Sequence, residues 1–113
     1  MEEKLRQGYL FDFYGELLNE HQKKIYRAYV FEDLSLTEIA EEEGISRQGV
    51  SDLLHRCTKT LEDYEKRLSL IEKFLSVRKN VDEIITLTQA EQKEHPTAMQ
   101  KIRKLSDDIL EIL

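Results

Sequence analysis

The sequence predicts an all-α protein, on three observations. Only Pro96 and four glycines interrupt 113 residues, so the turn-dense grammar of a sandwich or barrel is missing. Apolar residues recur at spacings of three and four, the repeat of a helix, and capping signatures punctuate the first sixty residues. A first helix is expected across Leu10, Phe13, Tyr14, Leu17 and Leu18. Asn19 followed three residues on by Gln22 has the form of a capping box, and Ile25, Tyr26, Tyr29 and Val30 carry a second helical stripe to about Glu32. Ser35-Leu36-Thr37-Glu38 is a cleaner box opening a short third helix with Leu36, Ile39 and Ala40 inward. Gly44 stops it where a left-handed residue is needed, and Ser46 can cap a fourth helix bearing Val50, Leu53, Leu54 and Cys57.

From Thr60 the pattern changes. Leu61, Tyr64, Leu68, Ile71 and Leu75 step by three, four, three and four, a heptad seam about two repeats long. The register then drifts to Val77, Val81, Ile84 and Ile85, which suggests one long helix from about Thr60 to Leu87. Such a helix is on the order of 40 Å long, more than a domain of this size covers with its own core. The seam is therefore read as a dimerisation surface. The segment from Thr88 to His95 is polar, Pro96 marks a break, and Ala98, Ile102, Leu105, Ile109 and Ile112 define a terminal helix. The expected organisation is a helix-turn-helix domain over residues 1–59 and a helical dimerisation extension over 60–113, packed as one structural unit.

Composition narrows the classes. No apolar run approaches the ~18 residues of a membrane span, and Met1 to Gly8 lacks the apolar stretch of a signal peptide, so a cytoplasmic protein without membrane insertion is expected. A lone Cys57 excludes an intrachain disulfide and reads as a small core residue. His21, His55 and His95 are far apart, and His55 and Cys57 point to different sides of a helix, so neither a metal nor another cofactor is expected. No Gly-rich phosphate loop, nucleophile elbow or paired carboxylates suggest catalysis. A net charge of −6 argues, taken whole, against nucleic acid.

The informative segment is Leu36 to Arg56. Ile39 and Ala40, then Gly44 and Ile45, then Val50 and Leu53 reproduce the spacing of a helix-turn-helix. Ala40 must be small where the second helix crosses, Gly44 supplies the turn, and Ile45, Val50 and Leu53 seal the recognition helix inward. Facing away are Ser46, Arg47, Gln48, Ser51, Asp52 and His55, with Arg56 and Lys59 along the flank. In a major groove Arg47 could fork onto guanine and Gln48 onto adenine, while Ser46 and the first amides meet a phosphate. Arg56 and Lys59, with Lys23, Lys24 and Arg27, would position without specifying. Gly49, which costs about 1 kcal/mol in a helix, calls for a close approach to the backbone there.

The stretch Leu34-Ser35-Leu36-Thr37-Glu38-Ile39-Ala40 through Gly44-Ile45-Ser46-Arg47-Gln48-Gly49-Val50-Ser51 resembles region four of the bacterial sigma factors, over roughly residues 17–60. The whole chain, from Tyr9-Leu10-Phe11-Asp12-Phe13-Tyr14 onward, more closely resembles the small YlxM-like proteins of Gram-positive bacteria. That resemblance implies an all-helical, self-associating helix-turn-helix protein with a regulatory link to the signal recognition particle, beside whose genes the family is typically encoded. Two positions depart from the sigma pattern: Glu43 stands where an apolar residue is usual, and Asp52 where Arg or Gln is favoured.

Charge is partitioned along the chain. Residues 1–60 hold eight basic and twelve acidic side chains, and 61–113 nine and eleven, yet Ser46 to Thr60 carries Arg47, Arg56 and Lys59 against Asp52 alone. The run Glu41-Glu42-Glu43 reads first as a solvated helix face. The expected function is regulatory binding of nucleic acid, DNA first and RNA second, by a homodimer and not an enzyme. The alternative is an accessory factor that binds signal recognition particle protein or RNA without sequence-specific DNA binding.

Overall fold

Three helix starts are fixed by side chains that satisfy the first unpaired amides. In a computed structural model that describes residues 1–89 and 96–113, α1 is Glu3–Tyr14, with a 3-10 turn at Gly15–Leu17, α2 is Glu20–Val30 and α3 is Leu36–Glu43. Beyond them α4 is Arg47–Leu68, α5 is Leu70–Gln89 and α6 is Pro96–Ile112. Both expected capping boxes form. The Gln22 amide donates to Asn19 Oδ1 at 2.8 Å while Asn19 N–H donates to Gln22 Oε1 at 3.0 Å, and Ser35 and Glu38 exchange two bonds of 3.1 Å. Gly44 is left-handed at φ 68°, and both its N–H and that of Ile45 bond to the Ala40 carbonyl.

The first helix starts at Glu3, seven residues before the expected Leu10, and ends at Tyr14. Its inward face is Gln7, Leu10 and Tyr14, and a glutamine in the first of those places breaks the apolar stripe that would have announced the helix. Phe13 and Leu17, expected inward, are exposed, as is Ile45 at the turn.

The chain divides into two compact units, Met1–Ser69 and Leu70–Leu113. The expected boundary at residues 59–60 lies inside α4, which runs through it unbroken. The reason is packing: Val50, Leu53, Leu54, Cys57, Leu61 and Glu65 form one buried stripe along α4, against which α1, α2 and α3 pack. Burying such a set contributes of the order of 2 kcal/mol per large apolar side chain. Polar contacts pin α1 to the far half of α4. Arg6 forks onto Glu62 at 2.8 and 3.0 Å, the Tyr14 hydroxyl donates to the buried Glu65 carboxylate at 2.5 Å, and Tyr14 and Tyr64 stack at 6.1 Å. Closer to the middle of the helix, Tyr26 and Thr58 share a hydrogen bond of 2.9 Å, and burial pushes the Tyr26 hydroxyl up to about 12.

The single long helix expected from Thr60 to Leu87 is instead two. Ser69 takes the left-handed conformation at φ 54°, its N–H bonded to Glu65 O, and α5 starts at the next residue. A non-glycine residue there costs of the order of 1 kcal/mol, and no Gly or Pro marks the place in the sequence. In the second unit α5 packs on α6, whose residues Ala98, Ile102, Leu105, Ile109 and Ile112 form the expected half-buried stripe. The end of the polar segment before Pro96, including His95, lies outside the described residues.

Tyr14→Phe strips one hydrogen bond from a buried carboxylate. It should lower unfolding stability by about 1–3 kcal/mol in urea titration, a loss that Phe13→Leu at the exposed neighbouring position does not reproduce.

Candidate nucleic-acid interface

Ser46 and the first four turns of α4 carry the side chains that the helix-turn-helix pattern places on the recognition helix. The buried stripe occupies one side, so the 3.6-residue repeat turns Gln48, Asp52, His55 and Lys59 to the opposite side, with Arg47 and Arg56 on its two flanks. All six are exposed. Ser51 is half-buried, lining a cleft of about 470 Å³ whose other walls include Gln7 and Tyr29.

Ser46 is the N-cap of α4, its Oγ accepting from Gly49 N–H at 2.9 Å. This explains Gly49 without nucleic acid or another helix: a Cβ at that residue would lie 3.1 Å from the capping oxygen. Asp52 is not a stray acid on the face. Its Oδ1 accepts from Gln48 Nε2 at 2.9 Å, one turn away, which holds the glutamine amide in place and occupies one of its donors.

Glu43, the other departure from the sigma pattern, has a structural task. It receives Lys24 Nζ at 3.1 Å and lies 3.9 Å from His21 Nδ1, tying α3 to α2 with its side chain only 13% exposed. Lys23 is likewise bound to Glu16 at 3.1 Å and Glu20 at 3.3 Å. Arg27 lies over the Phe11 ring at 5.3 Å. These three cations, expected to touch phosphate, are thus committed to neighbours within the unit. Lys4 and Arg6 are paired with Asp33 and Glu62. Among the described residues of the first unit, the cations that form no ion pair are Arg27 and five on α4: Arg47, Arg56, Lys59, Lys66 and Arg67. Lys66 and Arg67 lie in the last turn of α4, beyond the expected recognition segment Ser46 to Thr60. Following its apolar stripe through Leu61 to residue 65 finds them.

The expected dimer seam does not survive as a surface. Leu61 and Ile71 are wholly buried in the single chain, Tyr64 is half-buried against Tyr14, Leu75 is half-buried, and the break at Ser69 interrupts the register. Of the five, Leu68 remains half exposed. Cys57 is buried, and burial pushes its thiol up, consistent with a core role. No cluster of three or more His, Cys, Asp or Glu suited to a metal ion occurs among the described residues, and none of their helices is long and apolar enough to cross a membrane.

A capped α3, a left-handed glycine turn and an exposed polar face on α4 define a helix-turn-helix protein. Its family is shown by comparison: residues 1–103 match the one described as "Putative helix-turn-helix protein, YlxM / p13 like", and the chain belongs to that family, UPF0122. A UPF0122 protein of Desulforamulus reducens is 42% identical over 101 residues, 88% of this chain and 86% of its own. One from Halalkalibacterium halodurans is 50% identical over 74 residues, 66% of this chain and 68% of its own. One from Bacillus cereus is 39% identical over 108 residues, covering 93% and 98% of the two chains.

The crowding at Gly49 makes its effect depend on the cap. Gly49→Ala should gain less than the ~1 kcal/mol that helix propensity offers, and the gain should be recovered in a Ser46→Ala background. Equal gains in the two backgrounds, measured by thermal unfolding, would refute the coupling.

Proposed function

We propose that this chain is a cytoplasmic regulatory protein that binds nucleic acid, DNA in preference to RNA, through the first turns of α4, and that it works by binding and not by catalysis. The carrying observation is the allocation of charge: in an acidic first unit, carboxylates neutralise Lys4, Arg6, Lys23 and Lys24, while Arg47, Arg56 and Lys59 stay unpaired beside the exposed face. Arg47 supplies base readout, Gln48 a second contact oriented by Asp52, and Arg56 and Lys59 the phosphate contacts. With Arg56 and Lys59 neutralising about two phosphates and Arg47 adding its charge in the groove, log K should fall with log salt at a slope of about −2 to −3 per subunit.

Arg47→Ala should remove sequence preference, at a cost of about 1–3 kcal/mol on the favoured site. Lys59→Ala should weaken all sequences alike and reduce the salt slope by about one. Selection of binding sites from a random duplex pool, followed by titration at several salt concentrations, separates the two effects. An unchanged preference in the Arg47 variant removes Arg47 from base readout.

We further propose, as the family resemblance implies, a regulatory role for this chain in the signal recognition particle pathway. The second reading is an accessory factor that binds the particle's protein or RNA, and one observation favours its protein arm: exposed Glu41 and Glu42 on α3 stand beside the recognition helix and repel nucleic acid of either kind. Capture of particle components by a variant with Arg47, Gln48 and Arg56 all changed to Ala would support it.

A homodimer also belongs to this proposal, with half-sites about one helical turn apart. With Leu61 and Ile71 buried, a contiguous exposed apolar stripe is found on α5, formed by Leu70, Phe74, Val81 and Ile85, each between 38% and 46% exposed. Sedimentation at micromolar concentration should show a species of twice 13.4 kDa, and Val81→Asp with Ile85→Asp should return it to 13.4 kDa. A 13.4 kDa species alone in the unaltered chain excludes the dimer.

A further inference from the structure

A cleft of about 670 Å³ opens between α5 and α6 within the second unit. Its floor is apolar, with half-buried Leu75 and Leu87 from α5 and Leu105 from α6. The α6 wall is cationic, formed by exposed Lys101 and Lys104 one turn apart. The α5 wall alternates, Arg78 and Lys79 followed by Asp82 and Glu83. Lys79, Lys101 and Lys104 form no ion pair among the described residues.

We propose that this cleft is a docking site for an acidic amphipathic helix of a protein partner. The leucine floor runs from Leu75 to Leu87, about 18 Å along the axis, the length of a three-turn helix with apolar side chains at helical spacing. Seated there, such a helix would complete a three-helix bundle over leucines that a two-helix hairpin covers only in part. Charge selects the sign of the occupant, because carboxylates flanking its apolar stripe would meet Lys101 and Lys104 on one side and Lys79 on the other, with an uncharged stretch facing Asp82 and Glu83. The same features disfavour a nucleic-acid backbone. A phosphate backbone would leave the three leucines without an apolar partner.

The test uses the full chain and a labelled synthetic peptide of about four helical turns, with leucines on one stripe and glutamates elsewhere, followed by fluorescence anisotropy. Its controls are a peptide of the same composition with the leucines scattered around the helix, a peptide keeping the stripe with lysines replacing the glutamates, and a DNA duplex as competitor. The striped acidic peptide should bind in the micromolar range, and the controls should bind far more weakly. Lys101→Glu with Lys104→Glu, two exposed positions whose helicity is checked by circular dichroism, should weaken it roughly tenfold or more. Arg47→Ala should leave it unchanged, which separates this site from the recognition helix. Equal binding of either control peptide, an unaltered affinity in the double lysine variant, weakening by Arg47→Ala, or displacement of the peptide by the duplex would overturn the proposal, the last assigning the cleft to nucleic acid.

Discussion

One constraint organises the first unit: α4 must bury a single stripe from Val50 to Glu65 while presenting the opposite side of its first turns to solvent. A helix cannot bury every side, so the identity of the buried stripe decides which side chains are offered to a partner. Every other helix of the unit packs on that stripe. The helix-turn-helix pair alone would hold only the N-terminal turns of α4. The contacts of Arg6 with Glu62 and Tyr14 with Glu65 fix the C-terminal turns as well, so the recognition face is mounted on a helix anchored along its whole length. A helix held at both ends keeps a readout side chain in register far better than one that frays after the core stops.

The second theme is the use of charge. The nucleic-acid contact proposed for this acidic chain needs cations that are left uncommitted, and in the first unit carboxylates neutralise most of the cations outside α4. Glu16, Glu20, Glu43, Asp33 and Glu62 all hold cations away from the α4 face. The two residues that depart from the sigma pattern fit this scheme. Glu43 braces α2 against α3, and Asp52 holds Gln48 on the exposed face. Exposed Glu41 and Glu42 add repulsion close by, so the binding proposed for α4 should be modest and sensitive to salt.

The second unit is governed by a shortage of helices. Two helices packed along one line leave apolar side chains on more than one remaining side, and α5 illustrates this with the Leu70, Phe74, Val81 and Ile85 stripe and the leucines of the cleft. Exposed apolar surface of this kind marks a place where other chains pack. The two surfaces differ in chemistry: the stripe is uncharged and suits a second copy, whereas the cleft is rimmed by lysines and suits an acidic helix.

The sequence by itself determined every feature that depends on near neighbours. Capping boxes at Asn19 and Ser35, the left-handed Gly44 and the Ser46 cap are settled within three or four residues, and the helix-turn-helix follows from their order with the apolar spacing around them. The exposed face of α4 was legible for the same reason. Only the tertiary structure decided what depends on distant partners. Gln7 and Glu65 are polar, yet stand in buried stripes, where Gln7 donates to Thr58 and Glu65 accepts from Tyr14 across the fold. Lys24 and Arg27 look like phosphate ligands until Glu43 and Phe11 are found beside them. Ser69 breaks a heptad pattern that continues through it, by taking a left-handed conformation at a residue that no local signal marks. Hydrophobic periodicity reports which side of a helix is buried, but not what buries it, and that difference turned Leu61 and Ile71 from an expected dimer seam into core.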